Sequence, residues 1–253
     1  MEATFRRELA ERKAGSLVPE PGNEAVLGII GGAGVGAAAR LYIDVAARVR
    51  AATGRLPPIT LWNLPFSDEI ERAFVGGDHD GDGVMAAERL VAESVERLLA
   101  AGATVIAMPC NSLQGSAARE SRRHGVPFID MIAATLDGVR ASGRRSAVLL
   151  ATEATYAAGF YEGHDVEIIA PPAALRAELA ALIMRGVEGR LSAGELRDLV
   201  QRARRPDASV VLGCTDICGL LDGEAALDAD VVESLGCLAG ICADSLRVGA
   251  PAA

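Results

Sequence analysis

Apolar residues in this chain gather in short runs, and most runs are followed by a longer stretch with apolar positions at helical spacing. Residues 25–30 form the first run. The small-residue turn Gly31-Gly32-Ala33-Gly34-Val35-Gly36 follows, and then a helical pattern over 37–52. A second strand is predicted over 59–64, and residues 65–83 are polar and loop-like, with a helical turn at 68–74. Residues 84–101 give an amphipathic helix that Gly102 ends as a C-cap. A third strand begins at Thr104 and delivers Cys110. Helix 113–124, strand 126–130 and helix 132–141 complete the first half. Strand 146–150 opens the second half, with 151–155 as its strand-to-helix loop. Strand 166–169, helices 174–186 and 193–204, strand 209–213, a short strand at 231–232 and helix 235–246 follow. Residues 1–24 read as a polar extension, where Phe5 and Leu9 suit one amphipathic helix that Pro19, Pro21 and Gly22 break.

This alternation predicts an α/β fold with parallel sheets. The halves also repeat. A strand, small-residue loop and helix occur at 27–39 and again at 148–159; a strand, cysteine, polar pair and helix occur at 105–113 and again at 210–220. Two pseudo-symmetric lobes are expected, each a mostly parallel sheet flanked by helices, with the site in the cleft between them at the strand C-termini. Residues 25–130 form lobe 1, completed by 229–253, whose helix returns to it; residues 131–228 form lobe 2.

Composition narrows the chemistry. Half the 253 residues are hydrophobic but only 4% are aromatic, so Ala, Val, Leu and Ile must build the core, as buried parallel strands require. The net charge of −9 argues against a nucleic-acid partner. No apolar run approaches the roughly 20 residues a membrane span needs. Charges run through residues 1–24, which therefore do not resemble a secretory signal. A cytoplasmic protein with reduced cysteines is expected. The single lysine, Lys13, precedes the first strand, so neither a pyridoxal phosphate Schiff base nor a P-loop has its lysine. His79, His124 and His164 lie in polar turn-like contexts, and no metal site is expected from them. The run from Asp78 to Gly83 looks like a calcium loop but lacks the distal glutamate. Gly32, Gly34 and Ala37 fit G-x-G-x-x-A, yet the second strand ends in Trp62-Asn63-Leu64, without the acidic residue a dinucleotide site needs.

What remains is a matched pair of thiols. Cys110 and Cys214 each end an apolar strand and precede small polar residues, where a helix N-terminus would favour the thiolate and lower its pKa. Two acid/base groups on opposite sides of one carbon can remove a proton from one face and supply one to the other. The carbanion between them needs backbone amides and hydroxyl donors. Asn111, Ser112, Thr152, Thr155 and Thr215 stand where such donors are required. Cys237 and Cys242, on the last predicted helix, read as core, and the spacing of Cys218 from Cys214 does not by itself make a metal or redox pair.

Four segments carry a family resemblance: Leu27-Gly28-Ile29-Ile30-Gly31-Gly32-Ala33-Gly34, Met108-Pro109-Cys110-Asn111-Ser112, Leu149-Leu150-Ala151-Thr152-Glu153-Ala154-Thr155 and Leu212-Gly213-Cys214-Thr215-Asp216. With these the chain resembles the aspartate/glutamate/hydantoin racemase superfamily over about 25–245, most closely its aspartate racemase or broad-specificity amino-acid racemase branch. The resemblance implies a racemase that needs no cofactor, acts on a small-molecule amino acid and forms a homodimer. It implies that Cys110 and Cys214 are the two bases. Gly32, Ala33, Asn111, Ser112, Thr152, Thr155 and Thr215 would bind the substrate.

The chain departs from the family pattern in three places. Ala33, Gly34 and Val35 stand where Met, Gly and Pro are usual, and Asp216 replaces the usual Glu. The basic residues with which aspartate racemases read the side-chain carboxylate have no clean match: no basic residue stands around Ser67-Asp68, and Val187 stands at the second position. Arg72 and Arg185 lie nearby and, with Asp216, are accessory candidates. Hydantoin racemisation, maleate isomerisation and decarboxylation remain alternatives, as does a non-catalytic ligand-binding module.

Overall fold

In the computed structural model, residues 25–67, 69–70, 82–221 and 230–247 are described. The polar extension at 1–24, most of the calcium-like run, and Arg72 lie outside the described residues.

Two four-stranded parallel sheets organise the chain. The first contains β1 (Leu27–Gly31), β2 (Ile59–Asn63), β3 (Val105–Ala107) and β4 (Phe128–Ile129), in the order β2-β1-β3-β4. The second contains β5 (Ser146–Leu150), β6 (Glu167–Ile169), β7 (Ser209–Leu212) and β8 (Val231–Glu233), in the order β6-β5-β7-β8. The two orders are the same order, so the repeat seen in the sequence is a repeat of topology. Every named pairing is parallel. Parallel pairing needs a crossover, and among the described residues α-helices lie in the connections from β1 through β4 and from β5 through β7.

The central strands show why the apolar runs are continuous rather than alternating. All five residues of β1 and all four of β7 are buried, because helices cover both faces of each sheet. On one face of the first sheet, Leu27 and Ile29 pack with Leu41 and Val45 of α1 (Val35–Thr53). On the other face, Ile30 and Ile106 pack with Val91, Val95 and Leu98 of α2 (Asp82–Ala100), next to α3 (Gln114–Arg123). The second sheet lies between α4 (Met131–Ala141) on one face and α6 (Ala173–Val187) with α7 (Ala193–Ala203) on the other. The short helix α5 (Glu153–Ala158) follows β5.

The grouping of 229–253 with lobe 1 divides in the structure. Strand β8 pairs with β7 in the second sheet, giving the open edge of β7 its hydrogen-bond partner. Helix α8 (Ser234–Arg247) then crosses to the first sheet, where Leu235, Leu238 and Cys242 join the core with α1. Its other side meets α4: a Cβ on Gly138 would lie 2.7 Å from the Cys237 sulfur. One helix thus grips both lobes.

In each sheet the strand order turns outward from the central pair, β1/β3 and β5/β7. Ligands bind at such switch points, beyond the strand C-termini. The glycine turn after β1 is built into the first one. Gly32 has φ +106°, and a Cβ there would lie 2.4 Å from the Leu64 carbonyl oxygen and 2.6 Å from its nitrogen. Leu64 N donates to the Gly31 carbonyl at 2.8 Å, so the close approach is held by a hydrogen bond. Gly32→Ala should destabilise the fold by about 3 kcal/mol or more, combining backbone strain with a backbone clash. Urea unfolding would measure this, and a loss below about 1 kcal/mol would contradict the packing described.

Candidate active site

The two switch points line one cleft. Lobe 1 contributes Ala33 and Gly34 from the turn after β1, Phe66, and Cys110, Asn111 and Ser112 from the loop after β3. Lobe 2 contributes Thr152 and Thr155 from the start of α5, Val187 from the end of α6, and the segment from Gly213 to Asp216 after β7. Both cysteines of the sequence pair are therefore in the same cleft.

The Cys110 loop is held from behind. Gln114, buried at the start of α3, donates from Nε2 to the carbonyls of Met108 (2.7 Å) and Cys110 (3.0 Å). Its Oε1 accepts from the Met131 amide at 3.1 Å. One side chain thus bonds two carbonyls of the loop and the first amide of α4, tying the loop to that helix. Sequence reasoning passed over Gln114, since its neighbours give it no signal beyond a helix start.

The Cys214 loop is held by close packing. Gly213 donates to the Leu150 carbonyl at 2.8 Å, and a Cβ on Gly213 would sit 2.5 Å from the Leu149 Cδ1. The backbone then enters a 3-10 turn, Thr215–Ile217. The sequence repeat predicts an α-helix after Cys214, and the structure corrects this. A 3-10 turn of three residues aligns few peptide dipoles, so Cys214 gains little from a helix N-terminus.

Hydrogen bonds cross between the lobes. Thr215 Oγ1 donates to the Pro109 carbonyl at 2.9 Å, joining one cysteine loop to the other. Ser112 Oγ lies 3.1 Å from Thr152 Oγ1 and 3.0 Å from Thr155 Oγ1, which are 3.1 Å apart. These three hydroxyls form a triangle on the cleft wall. Thr152 also caps α5, accepting from the Thr155 amide. Asn111 is fixed at both ends of its amide: Tyr161 Oη donates to its Oδ1 at 2.7 Å, and its Nδ2 donates to Ser234 Oγ at 3.2 Å. Ser234 in turn donates to the Leu212 carbonyl at 2.8 Å. Tyr161 and Ser234 come from distant parts of the chain, and only the fold brings them to Asn111.

Asp216 is the one carboxylate among the described lining residues. Its Oδ2 accepts from the Cys214 thiol at 3.6 Å. Its Oδ1 faces the glycine turn, where a Cβ on Gly34 (φ +87°) would lie 2.5 Å away. Glycine at 34 is what lets this carboxylate sit between the lobes.

The thiols behave differently from the sequence expectation of a lowered pKa. Burial pushes the Cys110 thiol up to about 11, and the Asp216 carboxylate adds to the rise. Amides of Leu113 and Ser112 oppose it without cancelling it. Burial also holds Cys214 well above the ordinary thiol value, again with Asp216 adding to the effect and the Asp216 amide opposing it. Desolvation outweighs the amides here because a thiolate must give up water that a neutral thiol hardly misses.

Other candidates fall outside the cleft lining. Gly32 supports the turn against Leu64 rather than facing the cleft. Arg185 is an ion-pair partner of Glu195 and donates to the Arg190 carbonyl at 3.1 Å, tying α6 to α7. Its neighbour Val187 lines the cleft instead. Cys218 donates to the carbonyls of Leu212 (3.6 Å) and Cys214 (3.5 Å), and Cys242 is core. Phe66 and Gly34 line the cleft without having been singled out as substrate contacts.

The described residues contain no helix long and apolar enough to cross a membrane. Among solved structures, a candidate Asp/Glu racemase from Yersinia pestis matches with a TM-score of 0.71 at 25% identity, covering 88% of this chain and 99% of that one. An aspartate racemase from Picrophilus torridus matches with a TM-score of 0.64 at 20% identity, covering 88% and 94%. An arylmalonate decarboxylase matches with a TM-score of 0.52 at 20% identity, covering 90% and 95%. The latter two show likeness of fold. The family model for Asp/Glu/Hydantoin racemase matches residues 30–241, and so the chain belongs to the Asp/Glu/hydantoin racemase family.

Proposed function

We propose that this protein is an amino-acid racemase that works without pyridoxal phosphate, with Cys110 and Cys214 as its two acid/base groups. The observation that carries this reading is the placement of both thiols in one cleft, at equivalent strand ends of two topologically equal sheets. A single-base enzyme has no need of that symmetry.

The chemistry follows from the surroundings. One cysteine, as thiolate, takes the Cα proton: the Cα–H bond breaks and an S–H bond forms. The other cysteine, as thiol, gives its proton to the opposite face: its S–H bond breaks and a new Cα–H bond forms. The two groups then hold exchanged protonation states, and proton exchange with water resets them. Between the steps, negative charge spreads onto the substrate carboxylate. The hydroxyls of Ser112, Thr152 and Thr155 and the amides of the two loops are the donors that meet it. Since the hydroxyls already bond one another, they are oriented before substrate arrives.

The raised thiols make forming the first thiolate part of the barrier. A substrate ammonium group brings positive charge beside Asp216, offsetting the repulsion that this carboxylate exerts on both thiols. Likeness to arylmalonate decarboxylase concerns the fold, and the pair of cleft thiols favours racemisation over decarboxylation, which needs one proton donor.

Racemisation of the true substrate should fall about 10²- to 10⁴-fold in either Cys110→Ala or Cys214→Ala, the usual range for loss of a positioned acid/base. Each variant should retain Cα–H exchange from one enantiomer, and the two should retain opposite ones. Chiral chromatography together with NMR in deuterated water checks this, and normal racemisation by both variants would contradict the proposal. The thiols also give a pH prediction. A thiol whose pKa is raised is protonated at neutral pH, so Cys110 alkylation by iodoacetamide should accelerate as pH rises toward about 11. Asp216→Asn removes a charge that holds the thiol up and should shift this rise to lower pH. Site-resolved mass spectrometry measures it, and an unchanged or upward-shifted profile would contradict the electrostatic account.

A further inference from the structure

We infer that Tyr161 and Ser234 are positioning residues: together they hold the Asn111 amide in a single rotation, so that it offers the substrate carboxylate an N–H rather than an oxygen. This rests on the racemase reading above and concerns the same cleft.

A side-chain amide has two unlike ends. Its oxygen only accepts and its nitrogen only donates, and a half-turn exchanges them at little steric cost. Asn111 lines the cleft directly after Cys110, so the end it presents matters to any charged substrate group beside it. Its neighbours decide which end that is. The Leu212 carbonyl can only accept, so the single hydroxyl proton of Ser234 goes to it, at 2.8 Å. Ser234 Oγ is then left to accept, and its partner at 3.2 Å is the Asn111 nitrogen. That turns Asn111 Oδ1 to Tyr161, whose phenol donates to it at 2.7 Å. Each bond fixes the direction of the next. A reversed amide would set Oδ1 against Ser234, whose one proton would have to serve two acceptors. A buried acceptor would then lose its donor, which is unfavourable.

The frame around the amide is firmly packed. Tyr161 is buried and belongs to the same core cluster as Ile132, Leu136 and Leu149 in the second lobe. Ser234 is buried at the first position of α8. Its neighbour Glu233 accepts from the Gly219 amide at 3.0 Å, tying this helix start to the chain that follows Cys214. Asn111 itself belongs to the Cys110 loop. Three parts of the chain therefore meet on one amide, and the lock exists only where the lobes are docked. With Oδ1 bonded to Tyr161 and one N–H bonded to Ser234, the donor that the amide retains is its second N–H. A substrate carboxylate gains from that donor, and gains more as negative charge builds on it after Cα loses its proton. A freely turning amide would at times offer its oxygen instead, which repels a carboxylate.

The test follows the amide itself as well as turnover. The side-chain N–H signals of Asn111, assigned by their loss in Asn111→Ala, are followed by NMR for hydrogen exchange. Tyr161→Phe, which removes only the hydroxyl, and Ser234→Ala should each speed that exchange at least tenfold beyond any change at the backbone amides of β1. In parallel, wild-type protein is assayed for Cα–H exchange with alanine, serine, methionine, aspartate and glutamate, both enantiomers of each, and the fastest is used for kinetics. Each variant should lower kcat/KM at least tenfold with a raised KM, whereas partial unfolding would lower kcat and leave KM alone. In an Asn111→Ala background the same two changes should lower kcat/KM less than twofold. Asn111→Asp, which keeps an acceptor for Tyr161 but has no N–H, should lose at least as much as Asn111→Ala. Unchanged amide exchange in both variants, losses that add fully to that of Asn111→Ala, or activity retained in Asn111→Asp overturns the inference. Faster amide exchange in the variants, with no Cα–H exchange from any amino acid in wild type, upholds the lock on Asn111 and overturns the racemase reading instead.

Discussion

Thr215 donates a hydrogen bond to the Pro109 carbonyl, joining residues 106 positions apart. Pro109 immediately precedes one cleft thiol and Thr215 immediately follows the other. Two groups that exchange protons with opposite faces of one carbon must keep a fixed separation, and this bond sets the backbone spacing on which that separation depends. The other interlobe contacts serve the same constraint. The hydroxyl triangle of Ser112, Thr152 and Thr155 pins one rim of the cleft. The amide of Asn111, clasped by Tyr161 and Ser234, pins the floor. Helix α8 braces the whole from outside, with one side in the core of the first sheet and the other against α4.

The price of holding two thiols in a closed site is electrostatic. Both are desolvated, and the carboxylate of Asp216 stands close enough to push both upward. A cleft built to stabilise resting thiolates would hold a cation where Asp216 sits. This one instead places a carboxylate where a substrate ammonium can balance it. Under the proposed two-thiol reaction, reactivity would be tied to occupancy: a substrate ammonium would favour the thiolate, and the raised thiols would stay protonated without it.

Much of this was legible in the sequence, for a specific reason. Strands buried on both faces read as continuous apolar runs, as in Leu27–Gly31 and Ser209–Leu212, and parallel topology places their C-terminal residues at the site. The two cysteine motifs and the threonine loop at Thr152 and Thr155 follow from that rule. Features that depend on tertiary contact were not legible. The chain after Cys214 forms a 3-10 turn rather than the helix its repeat suggests, and there the Asp216 carbonyl packs against Gly186, where a Cβ would lie 2.9 Å from it. The direction of the thiol shifts was also misjudged from sequence, because local helix dipoles can be read from a motif and burial cannot. Arg185 looked like a possible substrate contact until α7 brought Glu195 to it. Gln114 gave no sign of its role because its three backbone partners are assembled by the fold.

The central claim is that two different groups handle the proton on the two faces of the substrate carbon. The most direct measurement follows one enantiomer of a racemised amino acid into its mirror image in deuterated water, at early times and without pyridoxal phosphate. Two thiols in one cleft predict that the product carries solvent deuterium at Cα while the remaining substrate keeps its original proton. Transfer of the substrate's own proton into the product would mean that one group serves both faces, and would contradict the account.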